Sequence, residues 1–104
     1  MIILTFKAKA APDNCSELLQ ALTSMLEHVR KLKGCLSCYC YRSVEDDCEF
    51  CFVERWATQE HLNAHMRSDL YSAIQGAFKV LTEHSKIELN MLTTAEDTIQ
   101  LYTS

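Results

Sequence analysis

Glycine and proline are nearly absent from this 104-residue chain: Gly34 and Gly76 are the only glycines and Pro12 is the only proline. A backbone cradle for phosphates needs several glycines close together, which excludes a nucleotide-binding loop. Basic residues are scarce too, ten Lys and Arg against fourteen Asp and Glu, for a formal net charge of −4. Their one concentration is Arg30-Lys31-Lys33. Most of such a surface repels a polyanion, and no nucleic-acid partner is expected. No apolar run reaches the length that spans a bilayer, so no membrane association is expected either. Lys7 and Lys9 follow Met1-Ile2-Ile3-Leu4 before any secretory apolar region has formed, and a cytoplasmic location is the expectation.

Cysteine, by contrast, is plentiful. Six cysteines in a reducing compartment stay thiols. Cys35-x-x-Cys38 and Cys48-x-x-Cys51 have the pair spacing of a zinc ribbon. They lack the tight Gly or Pro turns of a zinc knuckle and fall mainly on strand-like segments, where alternation sends Cys35 and Cys38 to opposite faces. They read as small buried hydrophobes, and no metal is expected. Apart from Cys15, at a helix start, none has the neighbours that activate a nucleophilic thiol.

The length allows one domain, residues 1–104, without a separate cofactor-binding module. Ile2, Leu4, Phe6 and Ala8 alternate with Ile3, Thr5, Lys7 and Lys9, which predicts a strand. Asp13 then offers a cap for a helix whose apolar stripe is Leu18, Leu22, Met25, Val29 and Leu32. Lys31 and Lys33 are expected in its last turn, with Gly34 as the left-handed stop. Cys35 to Arg42 and Cys48 to Trp56 read as strands joined by an acidic turn. Thr58 and Ser68 look like caps of two further helices, the second lined by Leu70, Ile74, Ala77 and Leu81. Lys86 to Met91 alternates again as the last strand. The class is α+β: a ferredoxin-like βαββαβ antiparallel sheet with helices on one face. Phe50 and Phe52 point one way, and Cys51 and Val53 point the other. Both faces of the middle strands are therefore apolar, although the helices cover only one. A second copy of the sheet covers the other, which predicts a homodimer. The alternating tail from Asp97 to Tyr102 is expected to extend a strand onto that partner.

The densest signal lies at the end of the third strand. Phe50-Cys51-Phe52-Val53 runs into Glu54-Arg55-Trp56; Thr58-Gln59-Glu60 then opens a helix carrying His61 and His65, followed by Ser68-Asp69-Leu70-Tyr71. Together with Gly34-Cys35-Leu36-Ser37, this order resembles the antibiotic biosynthesis monooxygenase (ABM) domain family, a branch of the dimeric α+β barrel proteins. The likeness runs over residues 1–94. It implies a dimer that oxygenates a quinol or polyphenolic small molecule without metal, flavin or other cofactor. His65 is the expected base, since an imidazole titrates near neutral pH. Trp56 is the expected pocket wall, with its indole N–H available to a substrate oxygen. Thr5, Phe6, Phe52 and Phe78 are expected to wall the pocket, with Asn63 and Tyr71 binding substrate oxygens. His61 and His65 have a metal-pair spacing but no evident third ligand, and His61 reads as solvent-exposed.

The chain departs from the family pattern in one place: Asp69 stands where a second histidine often follows the first. Haem-degrading relatives carry an Asn on the first strand, a Trp at the position of His65 and a His one helix later. This chain has Thr5, His65 and Gln75 there, which disfavours haem degradation. The alternative to a monooxygenase is a non-catalytic dimeric module of the same fold that binds a small molecule.

Overall fold

Ile2, Leu4, Phe6, Ala8 and Ala10 are all buried and form one face of strand β1 (Ile2–Ala10). The computed structural model describes residues 1–91, with side chains through residue 82. A 3₁₀ turn at Pro12–Asn14 leads into α1 (Cys15–Arg30), followed by β2 (Cys35–Arg42) and β3 (Glu49–Trp56). Two helices, α2 (Gln59–Met66) and α3 (Asp69–Leu81), precede β4 (Thr82–Met91). The sheet has the order β2-β3-β1-β4 and is antiparallel throughout. This is the expected ferredoxin-like α+β arrangement, with its second helix broken in two. The expected tail strand at residues 97–102 lies outside the described residues.

Pairing β1 with β3 sets Phe6 opposite Phe52, Leu4 opposite Glu54 and Ile2 opposite Trp56. Against that face α1 buries Leu18, Leu22 and Val29, and α3 buries Tyr71, Ile74 and Phe78. Each such side chain contributes roughly 1.5–3 kcal/mol when withdrawn from water. The stripe of α3 is thus rotated from the expected Leu70, Ala77 and Leu81, which are only half-buried. Tyr71 and Phe78 offer more apolar surface and take the core position. The opposite face carries Ile3, Thr5, Cys51 and Val53, with Tyr39 and Tyr41 on β2 still 52% and 57% exposed. No helix among the described residues covers it.

The helix ends match the sequence in part. Thr58 Oγ1 accepts the His61 N–H at 3.2 Å and Ser68 Oγ accepts the Tyr71 N–H at 3.2 Å, so both expected caps form. Asp13 does not cap α1. Pro12 opens a 3₁₀ turn in which the Asn14 N–H bonds the Ala11 carbonyl at 2.9 Å, and Asn14 occupies the cap position without a side-chain bond. At the other end α1 stops at Arg30, placing His28 and Arg30, rather than Lys31 and Lys33, in the last turn. Arg30 donates from Nε to the Cys38 carbonyl at 2.8 Å and lies over the Tyr39 ring, which covers part of the exposed edge of β2.

Gly34 is not the helix stop; it opens β2. Its φ of +86° is left-handed, its carbonyl accepts the Ala57 N–H at 2.9 Å, and a Cβ there would lie 2.1 Å from Cγ of His61. The position needs glycine twice over, for its backbone and for the imidazole packed on it.

An irregularity just inside β2 corrects the cysteine geometry. Cys35 pairs with Trp56, Ser37 with Arg55 and Cys38 with Glu54, so one extra residue is accommodated between Cys35 and Ser37. Cys35 and Cys38 therefore share a face instead of opposing each other. Cys51 pairs with Tyr41 on the other face, and Cys48 lies at the β2–β3 hairpin beside Cys15. Among the described residues no disulfide forms, and no group of three or more His, Cys, Asp or Glu is placed to hold a metal ion. Burial raises the pKa of Cys35 and Cys38, with the nearby Glu54 carboxyl adding to it. A hydrogen bond with Cys15, then burial, pushes Cys48 up to about 11. These are protonated, unreactive thiols at neutral pH.

Two outcomes are expected. Purified protein should hold far less than one equivalent of zinc, and EDTA should leave its Tm unchanged; stoichiometric zinc by elemental analysis would contradict this geometry. Gly34→Ala should cost about 1–2 kcal/mol from the left-handed backbone alone, and more through the clash with His61. Denaturant unfolding measures it, and a midpoint equal to the wild type would mean the loop relaxes freely.

Candidate functional site

The inward-facing residues of β3 are Phe50, Phe52, Glu54 and Trp56: three aromatic rings and one carboxyl. Glu54 is 0% exposed. Among the described residues, two groups approach its Oε1. The indole Nε1–H of Trp56, two residues on along the same face, donates to it at 3.0 Å. Nε2 of His65 on α2 lies 3.1 Å away, too oblique for a straight hydrogen bond, so that contact is electrostatic rather than directional. The imidazole stacks on Trp56 with centroids 4.8 Å apart and meets the Tyr71 ring edge-on at 5.4 Å.

Local sequence explains why α2 brings His65 there. Thr58 fixes the start of the helix, and Leu62 and His65, three residues apart, share its buried side. Ser68 Oγ donates to the His65 carbonyl at 2.5 Å while capping α3, so the same hydroxyl ends one helix and starts the next.

The cluster carries an energetic burden. Glu54 Oε2 and both ring nitrogens of His65 are buried without a hydrogen-bond partner among the described residues. An orphaned buried polar group costs about 1–3 kcal/mol, more if charged, whereas apolar residues of similar shape would cost nothing. Such groups gather where chemistry needs them. The approach of Nε2 to the carboxyl favours the tautomer with its proton on Nε2, leaving the lone pair of Nδ1 open. Tyr71 complements this: burial, and then the Glu54 carboxyl, raise its pKa, so the phenol stays a neutral O–H at neutral pH.

Beside the cluster lies a mainly apolar cavity of about 260 Å³, open to solvent and lined by Leu32, Lys33, Trp56, His61, Ala64, His65 and Ser68. Both residues expected to be catalytic, His65 and Trp56, border it. The Trp56 N–H, however, is committed to Glu54, so the indole is a wall and a support for His65 rather than a donor to substrate. His61, read from sequence as exposed, borders the cavity half-buried because it packs over Gly34.

The other expected site residues lie elsewhere. Phe6, Phe52, Tyr71 and Phe78 form an aromatic core around Phe6, with Phe6 and Phe78 stacked at 5.3 Å; it reaches the cluster through Tyr71 but does not line the cavity. Thr5 points to the opposite face of β1 from Phe6, since neighbours on a strand alternate, and it cannot join the same wall. Asn63 accepts from Gln59 Nε2 at 2.8 Å along α2, also away from the cavity. Glu54 is the residue that the sequence reading left out of the site. The signal was available, because a carboxyl stands on the apolar side of an alternating strand.

A family model described as antibiotic biosynthesis monooxygenase matches residues 1–77, which include Glu54, Trp56, His65 and Tyr71. None of the curated proteins matches significantly by sequence. Among solved structures, a Deinococcus radiodurans protein named provisionally as an antibiotic biosynthesis monooxygenase superposes with a TM-score of 0.84 at 21% identity, covering 91% of this chain and 95% of its own. A Mycobacterium tuberculosis protein gives 0.80 at 23% identity, covering 90% and 97%. A Bacteroides thetaiotaomicron protein of unknown function, described as a possible oxidoreductase, gives 0.81 at 21%, covering 88% and 96%. At such identities these structures establish a shared fold and nothing finer. Matched by the family model over more than half its length, the chain belongs to the antibiotic biosynthesis monooxygenase family.

Proposed function

We propose that this protein is a cofactor-independent monooxygenase acting on a quinol or polyphenolic small molecule. The supporting observation is the buried Glu54–His65 pair at the edge of an apolar cavity. In this reading Nδ1 of His65 takes the proton of a substrate hydroxyl, while the Glu54 carboxyl holds Nε2–H and stabilises the imidazolium that forms. The resulting phenolate is electron-rich and donates an electron to O₂. Recombination makes a carbon–oxygen bond at a hydrogen-bearing ring carbon ortho or para to the phenolate oxygen, and that carbon's hydrogen leaves as a proton. Loss of water then leaves a quinone, so that phenol plus O₂ gives quinone plus H₂O and the substrate supplies all four electrons. Apolar walls keep water from the reacting oxygens, which strengthens each electrostatic contact.

We further propose that the working form is a homodimer closed over the face bearing Tyr39, Tyr41 and Val53. Aromatic side chains left half-exposed on a sheet face suit burial against a second copy. Six thiols outside any disulfide fit a reducing compartment, and we place the activity in the cytoplasm.

The test is oxygen uptake across a panel of hydroquinones. His65→Ala should lower the rate by about 10²–10⁴ with the dimer intact. Glu54→Gln, which keeps an acceptor for the Trp56 N–H, should lower it in the same sense. Full activity in His65→Ala would remove the proposed base, and a wild type inert across the panel would favour a non-catalytic binding module. Light scattering at micromolar concentration should return about twice the chain mass of 11.9 kDa; a value equal to that mass would rule out the dimer.

A further inference from the structure

The polar groups around the cavity are mostly committed. Trp56 Nε1–H is held by Glu54, and Ser68 Oγ both accepts from Tyr71 N–H and donates to the His65 carbonyl. His61 is different. Its Nδ1 lies 2.7 Å from Thr58 Oγ1, a hydroxyl that already accepts the His61 backbone N–H. That hydroxyl still holds its proton and a second lone pair, so it can pair with Nδ1 in either tautomer; with the hydroxyl donating to Nδ1, the ring proton lies on Nε2 and His61 is an N–H donor. Lys33, also on the lining, is exposed and forms no ion pair among the described residues. It belongs to Arg30-Lys31-Lys33, the one basic concentration in a chain of net charge −4. Arg30 is engaged by the Cys38 carbonyl and the Tyr39 ring, which leaves Lys33 as the ammonium on the cavity.

We propose that the ligand of this cavity is a hydroxyaromatic carboxylate. The ring lies against Trp56, Leu32 and Ala64; the carboxylate is held by the Lys33 ammonium and the His61 Nε2–H; the hydroxyl meets His65. At about 260 Å³ the cavity falls just below the range of drug-sized sites, about 300–1,000 Å³, and suits one or two fused rings. The sign of the charge follows from the donors: an ammonium and an imidazole N–H offer no acceptor, so a cationic or donor-only substituent has no partner there. An anion is also drawn towards the only basic stretch of an otherwise acidic surface. This assignment rests on the proposed quinol-type function and names the substrate class of the same site.

Calorimetric titration of the full chain under nitrogen, with 1-hydroxy-2-naphthoate and 1-naphthol as probes, tests it. The naphthoate should bind about fivefold or more tightly than the naphthol at low ionic strength, and added salt should shrink the difference. Lys33→Gln, a change at an exposed position, should bring the naphthoate down towards the naphthol's affinity. Equal binding of both probes to the wild type overturns the carboxylate assignment and leaves the quinol reading standing. An equal loss of both in Lys33→Gln overturns it too, because the lysine would then serve the ring rather than the charge. If neither probe binds, both readings fall.

Discussion

A carboxyl group with no access to water sits where the alternation of β3 calls for an apolar side chain, and the surrounding structure is arranged to hold it. Among the described residues Glu54 has two partners at Oε1, the Trp56 indole and the His65 imidazole, and none at Oε2. Burying a carboxyl costs several kcal/mol unless neighbours compensate, and here the compensation is partial. The fold around it supplies the rest through rigidity. The Thr58 and Ser68 caps set the length of α2, Leu62 fixes its buried side, and stacking on Trp56 holds the imidazole. Gly34 lets the loop before β2 approach closely enough for His61 to fold over it. Each cap or stacking contact is worth about 0.5–2 kcal/mol. Together they decide whether His65 faces the carboxyl.

Most of this architecture was legible because it rests on periods and caps. Alternation in Ile2, Leu4, Phe6 and Ala8 located β1 and its inward face, and Thr58 and Ser68 marked both later helix starts. What escaped were features decided by one residue's geometry. An inserted residue between Cys35 and Ser37 reverses the facing of everything before it, and neither residue type announces a bulge. Asp13 is a good cap by type, but Pro12 had already begun a 3₁₀ turn. The left-handed backbone of Gly34 follows from its residue type, but its place before β2 does not, because nothing in the sequence marks the end of α1 four residues earlier.

The site was legible to a different degree. Trp56 and His65 border the cavity, whereas Phe6, Phe52 and Phe78, expected beside them, pack in the aromatic core. Thr5 and Phe6 were assigned to one wall although adjacent strand residues cannot share a face. The same rule applied to β3 would have singled out Glu54, the one carboxyl among inward-facing aromatics. The resemblance drew attention to the tryptophan and the histidine, while the strand's own pattern pointed to the acid between them.

The two faces of the sheet have separate duties. The inner face carries the core and the acid–imidazole cluster at its Trp56 end. The outer face carries Tyr39, Tyr41, Val53 and Cys51 and contributes no residue to the cavity. Changes on the outer face therefore leave the cavity lining as it is, provided the sheet keeps its register. The inner face has no such freedom: Ile2, Leu4 and Phe6 pair with Trp56, Glu54 and Phe52, so a one-residue slip of β1 would carry its apolar side chains away from the cluster they enclose. The hydrophobic patterning of β1 thus protects the geometry of the Glu54–His65 cluster, to which that strand supplies no polar group.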